Sequence, residues 1–233
     1  MLTKAEIAGV NGIDVYDKNI ASLKGIEYFT ALTELYCYNN QLTALDVSKN
    51  TALKVLDCSS NQLTALDVSK NTALTELYCY ANQLTALDVS KNTALTSLYC
   101  SSNQLTALDV SKNTALTKLV CNANQINETE MGNLVESLPI NNGGLFVKSL
   151  NYANEQNVIT TAQVAAAKAT GWKVYAWDSD YGEWIEYDGD TSGIDAIEKN
   201  QSAETPVYNL NGQRVNAPVN GIYIKNGRKV LVK

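Results

Sequence analysis

Between Val10 and Ile126 the apolar residues follow neither a simple helical period nor a simple strand alternation; they recur in blocks of fixed length. Ala31–Thr51 reads ALTELYCYNNQLTALDVSKNT, and near-copies fill Ala52–Thr72, Ala73–Thr93 and Ala94–Thr114, a step of 21 residues each. A partial unit starts at Ala115 and ends at Ile126. Val10–Thr30 is a degenerate first unit, with Val10, Ile13, Val15, Ile20 and Leu23 falling 22 residues before Leu32, Leu35, Cys37, Leu42 and Leu45. A repeat of this length cannot bury its apolar face alone, so neighbouring units must stack into one continuous core.

Each unit carries the pattern L-x-x-L-x-C-x-x-N-x-L. Leu35 and Cys37 are two apart and point to one side of a short strand, while Glu34, Tyr36 and Tyr38 point to the other. The spacing predicts strands at Leu35–Tyr38, Leu56–Ser59, Leu77–Tyr80, Leu98–Ser101 and Leu119–Asn122, joined in a curved parallel sheet at roughly 4.8 Å per coil. Leu42, Leu45 and Val47 turn inward on the return path. Two asparagine columns punctuate the coils: Asn40, Asn61, Asn82, Asn103 and Asn124 after the strand, and Asn50, Asn71, Asn92 and Asn113 at the rear turn. A short amide there can satisfy backbone groups that the turning chain leaves inside.

This pattern resembles the leucine-rich repeats of the internalin family, most of all its bacterial surface members with 21-residue, cysteine-containing repeats. The segment Leu23–Phe29 is also similar to the opening repeats of those proteins. The resemblance implies an α/β solenoid with a parallel β-sheet on its concave face.

Periodicity stops at Ile126, where a solenoid needs a cap. Asn127 followed by Glu130 predicts a helix start, with the helix running to about Leu138 before Pro139. Leu145–Leu150 is a strand candidate. Thr160 and Gln163 form a capping-box pattern before a helix over Gln163–Thr170. Trp172–Trp177 and Glu183–Tyr187 read as strands joined by a turn at 178–182. Strand, helix and strand at this spacing match an enlarged final repeat, which would carry the main sheet onward. The expected organisation is an N-terminal cap over 1–9, the solenoid over 10–126, an αβ cap over 127–190, a polar linker over 191–204 and a small antiparallel β tail over 205–233. In the tail, Asn211-Gly212 and Asn226-Gly227 are hairpin-turn signals. The tail resembles those of secreted and surface proteins of Bacteroidetes, where similar segments act as sorting domains, and this implies an extracellular or outer-surface address.

The formal net charge of -6 supplies no basic face for a phosphate backbone, so nucleic acid is not an expected partner. The tail is an exception in sign: Arg214, Lys225, Arg228, Lys229 and Lys233 stand there with no acid after Glu204. No apolar run is long enough for a transmembrane helix, and Met1–Ile7 lacks a signal-peptide layout, as a processed secreted chain also would. Histidine is absent, which removes the commonest general base and metal ligand. Cys37, Cys58, Cys79, Cys100 and Cys121 are all spaced by 21, unlike the close pairs of a zinc site, so they are expected to be reduced, buried and metal-free. The acidic group Asp178, Asp180, Glu183, Glu186, Asp188 and Asp190 falls on a turn and hairpin with no evident cleft, and the aligned Asp46, Asp67, Asp88 and Asp109 lack a calcium-loop pattern. No catalytic, cofactor or metal site is expected.

The outward strand positions are where neighbouring repeats differ. Tyrosine gives large contact area at low entropy cost, so a face bearing Glu34, Tyr36, Tyr38, Asp57, Glu76, Tyr78, Tyr80, Tyr99 and Lys118 is the candidate binding surface. Solvent-facing strands also favour tyrosine for its own sake, so a plain strand surface stands as the alternative. Trp172, Trp177 and Trp184 either seal the cap or, for Trp177 and Trp184, extend that surface. The expected function is a monomeric, secreted or cell-surface recognition protein that binds a protein or glycan through the concave strand face. The alternative is a non-catalytic spacer or display scaffold at the cell surface.

Overall fold

Every coil contributes one three-residue strand, whose inward residue is a half-buried isoleucine in the first coil and a fully buried leucine in the next five. The computed structural model describes residues 7–190 and, as backbone strands, residues 207–208, 214–215, 221–225 and 228–232. The strands are β1 (Gly12–Asp14), β2 (Glu34–Tyr36), β3 (Val55–Asp57), β4 (Glu76–Tyr78), β5 (Ser97–Tyr99) and β6 (Lys118–Val120). All pair parallel and in sequence order, with Ile13, Leu35, Leu56, Leu77, Leu98 and Leu119 in register. The strands begin one residue earlier than the spacing predicted and end at the second outward position. Their hydrogen bonding nonetheless runs on, through Cys37 N to Asp57 O (2.8 Å) and Asn39 N to Ser59 O (3.0 Å).

The turn after each strand uses a left-handed residue: Asn39, Ser60, Ala81, Ser102 and Ala123 have φ between 51 and 55°. Outside glycine this conformation costs free energy, and the asparagine that follows offsets it. The amide oxygen of Asn61, Asn82, Asn103 and Asn124 accepts from the backbone N–H of Leu42, Leu63, Leu84 and Leu105, respectively, at 2.9–3.0 Å. The amide nitrogen donates to the cysteine carbonyls of its own and the preceding coil, as Asn82 does to Cys79 O (3.2 Å) and Cys58 O (3.1 Å). The rear column is simpler. Asn71, Asn92 and Asn113 donate to two carbonyls each, and their amide oxygens have no partner.

Beyond Ile126 the sheet continues through β7 (Gly144–Leu150) and β8 (Lys173–Asp178), both parallel, and closes with antiparallel β9 (Glu183–Glu186). Helix α1 (Glu128–Ser137) is capped by Asn127 and buries Met131, Leu134 and Val135. Helix α2 (Thr161–Ala169) starts two residues before the expected Gln163, because Thr160 is itself the N-cap of the capping box and helical geometry begins at the next residue. Trp172 lies just before β8 rather than in it and seals the cap: it is 1 % exposed and its indole N–H donates to Pro139 O (2.7 Å). Its ring occupies the space above Gly143, where a Cβ would meet it at 2.7 Å.

Asn157 extends the first asparagine column into the cap, accepting from Ile126 N and donating to Cys121 O and Val147 O. Half-buried Glu155 fixes that corner, its carboxylate accepting from Ala123 N, Ser149 N and Asn157 N at 2.7–2.9 Å. The chain leaves this unit through Asp190, which accepts from Ile159 N, Lys148 Nζ and the Tyr187 hydroxyl.

Two compact units divide the chain, Met1–Asp190 and Thr191–Lys233. The second holds an antiparallel sheet of β10 (Val207–Tyr208), β11 (Arg214–Val215), β12 (Gly221–Lys225) and β13 (Arg228–Val232), in the order β11-β10-β12-β13. Residues 1–6 of the expected N-terminal cap, the linker 191–204, and the turn pairs Asn211-Gly212 and Asn226-Gly227 lie outside the described residues. Among the described residues no helix is long and apolar enough to cross a membrane.

Candidate functional site

Strand alternation turns three columns outward. The first is Gly12, Glu34, Val55, Glu76, Ser97, Lys118, Gly144 and Lys173; the second is Asp14, Tyr36, Asp57, Tyr78, Tyr99, Val120, Phe146 and Tyr175. The third runs along the residues just past the strands, among them Tyr16, Tyr38, Ser59, Tyr80, Ser101 and Asn122.

The candidate tyrosines do not form one patch. Tyr38 stacks on Tyr16 at 4.9 Å between ring centroids, and Tyr78 stacks on Tyr99 at 4.6 Å. Asp57 and Ser59 stand between the two groups. One carboxylate oxygen of Asp57 accepts from both the backbone N–H and the hydroxyl of Ser59, so the hydroxyl is turned to Asp57. Two positions expected on the exposed face are buried: Ser59, which sits in its column between Tyr38 and Tyr80, and Val120, which sits between Tyr99 and Phe146 and is 7 % exposed. Small side chains there lie below the level of the rings beside them. Glu34 is exposed, whereas Tyr36, Tyr38, Tyr80 and Lys118 are half-buried.

A longer aromatic series joins the solenoid to the cap. From the Tyr78–Tyr99 stack the surface passes to Lys118, whose ammonium lies 5.2 Å from the Tyr99 centroid and 5.3 Å from that of Phe146. Phe146 stacks on Tyr175 at 4.7 Å and meets Trp184 edge-on at 5.0 Å; Trp184 meets Trp177 at 5.5 Å. Trp177 and Trp184, cross-strand partners in β8 and β9, are half-buried and belong to the face rather than to the seal. Phe146 and Tyr175 are the residues that sequence reasoning missed. Alternation within Leu145–Leu150 and Trp172–Trp177 already turned them away from Leu145, Val147, Val174 and Ala176. What was lacking was the register that lines them up with Tyr99.

The electrostatics of the face follow from these contacts. Burial, followed by the hydrogen bond from its hydroxyl to Glu76 (2.6 Å), pushes the Tyr78 phenol well above its ordinary range. Burial, then the charges of Glu34 and Glu76, raises Tyr36. Both phenols stay protonated and act as donors. The cysteine column lies on the opposite side of the strands. All five thiols are buried and free of disulfides, and burial pushes Cys37 and Cys100 up to about 12. A thiol so far from ionisation is a poor nucleophile and metal ligand. The acidic residues of the hairpin are engaged locally, with Asp180 accepting from Asn151, Asp188 paired with Lys168 and Asp190 with Lys148. Among the described residues no group of three or more potential ligands gathers in a way that could hold a metal ion.

Comparison with known proteins agrees with this geometry. The family described as leucine rich repeats (2 copies) matches residues 51–92. Internalin J of Listeria monocytogenes serotype 4b (strain F2365) is 47 % identical over 50 residues, which is 22 % of this chain and 6 % of internalin J. The crystal structure of an internalin (inlF) from Listeria monocytogenes superposes with a TM-score of 0.60 at 27 % identity, covering 76 % of this chain and 50 % of that one. Internalin C2 of the same organism gives 0.59 at 21 % identity, covering 76 % of this chain and 78 % of its own. The chain thus spans half or less of the length of two of these relatives. Residues 51–92 carry leucine-rich repeats, and the solenoid is similar to internalins in the sequence of those repeats and in fold.

Proposed function

We propose that this chain is a non-catalytic recognition protein of the cell exterior, which binds a protein partner through the strand face. The observation that carries the reading is the continuous series Tyr78–Tyr99–Lys118–Phe146–Tyr175–Trp184–Trp177. None of these rings is needed to fill the core, which the leucine and cysteine columns already close. Aromatic side chains that stand half-buried against one another on a sheet are pre-ordered, so a partner meets large contact area with little further entropy to lose. Leucine-rich repeat proteins generally mediate protein recognition, and the internalin-like repeats support the same use here. The exterior address rests on the internalin likeness and on the tail at 205–233, which in this reading is a sorting or attachment module. The region 127–190 is then both the cap of the solenoid and the far half of the binding face.

The test is an array of extracellular proteins and glycans, followed by titration of the retained partner. Replacing Tyr78 and Tyr99 together by alanine should weaken binding at least tenfold, about 1.4 kcal/mol. The loss of their mutual stacking should lower stability by only about 1 kcal/mol. Unchanged affinity with an intact fold refutes the strand-face assignment, and retention of glycans alone refutes the protein partner.

A further inference from the structure

Lys118, Gly144 and Lys173 occupy consecutive places in the first outward column, on β6, β7 and β8. At parallel-sheet spacing the two lysine backbones stand about 10 Å apart. Gly144 leaves the place between them without a side chain, and the Phe146 ring leans into that gap: a Cβ on Gly144 would meet Phe146 Cε2 at 2.8 Å. The sequence therefore sets two lysines on the strands either side of the Phe146 ring. Phe146 stacks on Tyr175 on one flank and is linked to Tyr99 on the other through the Lys118 ammonium, with Val120 between the two rings in the column.

Among the described residues neither lysine has a carboxylate partner. The ion pairs among the described residues are Lys148–Asp190 and Lys168–Asp188, and both involve other lysines. Aromatic faces attract the Lys118 ammonium without neutralising it. Two unpaired cations so placed are a local exception in a chain of net charge -6. The acids of the same two columns gather at the other end of the face, at Asp14, Glu34, Asp57 and Glu76, and at the far edge Glu186 lies opposite Tyr175. The two lysines are thus flanked by acids on both sides along the sheet, a pattern that orients a partner carrying its own acids at the centre of the contact.

We propose that the Lys118–Gly144–Lys173 cleft is the seat of an acidic, aromatic-containing segment of a protein partner. Two carboxylates of the segment pair with the two lysines while its ring meets the edge of Phe146 at Gly144, since Tyr175 and the Lys118 ammonium lie against the faces of that ring. This rests on the strand-face reading and adds the chemistry of the partner to it. The half-buried rings limit water around the Lys118 ammonium, while Lys173 is exposed. A carboxylate pair at Lys118 is a charge-assisted hydrogen bond in a less polar setting than an ordinary surface pair enjoys. This pattern of charge also steers encounter and suppresses partners that present cations to the two lysines.

The probe is the peptide acetyl-Glu-Glu-Tyr-Glu-Glu-amide, titrated into the full chain and followed by tryptophan fluorescence and by the NMR signals of the lysine side chains. The peptides with Gln or Lys in place of Glu serve as comparisons. The expected result is saturable binding of the Glu peptide, at least about tenfold tighter than the Gln peptide and weakening with salt. The double variant Lys118→Glu/Lys173→Glu should lose the Glu peptide and acquire the Lys peptide. Lys118→Gln/Lys173→Gln, a milder change at the same places, should bind neither preferentially, and circular dichroism checks that both variants fold. No saturable binding, equal binding of the Glu and Gln peptides, indifference to either variant, or preference for an oligouronate over the peptide would overturn the proposal. Its failure is separable from that of the strand-face reading. An array partner that loses affinity for Tyr78→Ala/Tyr99→Ala but not for the charge-reversed variant sinks the acidic segment alone.

Discussion

Replacing Asn82 by alanine should cost far more than the same change at Asn92, although Asn92 is the more deeply buried of the two. Asn82 is 8 % exposed and Asn92 is fully buried, so burial alone ranks them the other way. The difference lies in what each truncation leaves behind. Without the Asn82 side chain, Cys58 O keeps its bond from Asn61, Cys79 O keeps that from Asn103, and Tyr80 O keeps that from Ser60 N. The Leu63 N–H, however, loses the Asn82 oxygen at 2.9 Å and is left unsatisfied within the core. A buried donor without a partner costs about 1–3 kcal/mol, and the lost second bonds to three carbonyls add to it, for a total of about 2–4 kcal/mol. Truncating Asn92 orphans nothing: Val68 O still accepts from Asn71 N (2.9 Å) and Asn71 O from Leu74 N (3.1 Å). It also removes an amide oxygen that has no partner. The net cost there is about 1 kcal/mol, of the order of one ordinary hydrogen bond. Equilibrium urea unfolding of the two variants measures the difference, and native-state hydrogen exchange at Leu63 locates it. Equal losses, or a larger loss for Asn92→Ala, would refute the reasoning that orphaned donors rather than burial decide the energetics of the columns.

Further consequences can be measured directly. At about pH 8 the five thiols should react only after denaturation, since burial raises all five and pushes Cys37 and Cys100 up to about 12, against about 8.5 in the unfolded chain. Their folded values are raised, so the stability they confer is whole below about pH 8.5 and drains away as pH climbs toward the folded values, at about 1.4 kcal/mol per thiol per pH unit. Melting curves at alkaline pH should show this, and Cys79→Ala should flatten the slope; a midpoint independent of alkali would contradict it. Burial pushes the Asp190 carboxyl up, but the hydrogen bonds from Tyr187, Lys148 and Ile159 N outweigh burial and hold it below the ordinary range. Its contribution is therefore present at neutral pH and lost as pH falls below about 4. Asp190→Asn should destabilise the cap by about 1–2 kcal/mol at neutral pH and abolish that acid sensitivity, as read from exchange at Ile159 N. No change at Ile159 would show that the exit of the chain is not latched.

Within the repeats, sequence spacing and spatial position are the same thing. Each coil copies one local geometry, so residues 21 apart stack in a column, and the leucines, the cysteines and both asparagine columns could be assigned to inside or turn from the letters alone. The 22-residue offset of the first unit was equally legible and reappears as the pairing of Gly12 with Glu34. Composition told less about the outward face, because a side chain with no core to fill is chosen by its neighbours. Ser59 turns its hydroxyl to Asp57 instead of presenting it, and that depends on rotamers the repeat pattern does not encode.

Past Ile126 the spacing ceases to be a ruler. Helices α1 and α2 lengthen the return path by different amounts, so the partner of Lys118 is Gly144 and the partner of Gly144 is Lys173. Those registers are set by how each helix packs its buried face and by Trp172 closing over Gly143, which are long-range contacts. The strands, the helices and their inward residues could be read from alternation and capping signals. That Phe146 and Tyr175 continue the tyrosine face, that Asn157 continues the asparagine column and that two lysines stand on the strands either side of Phe146 were decided by tertiary structure, because only the packed cap fixes which residue stands beside which.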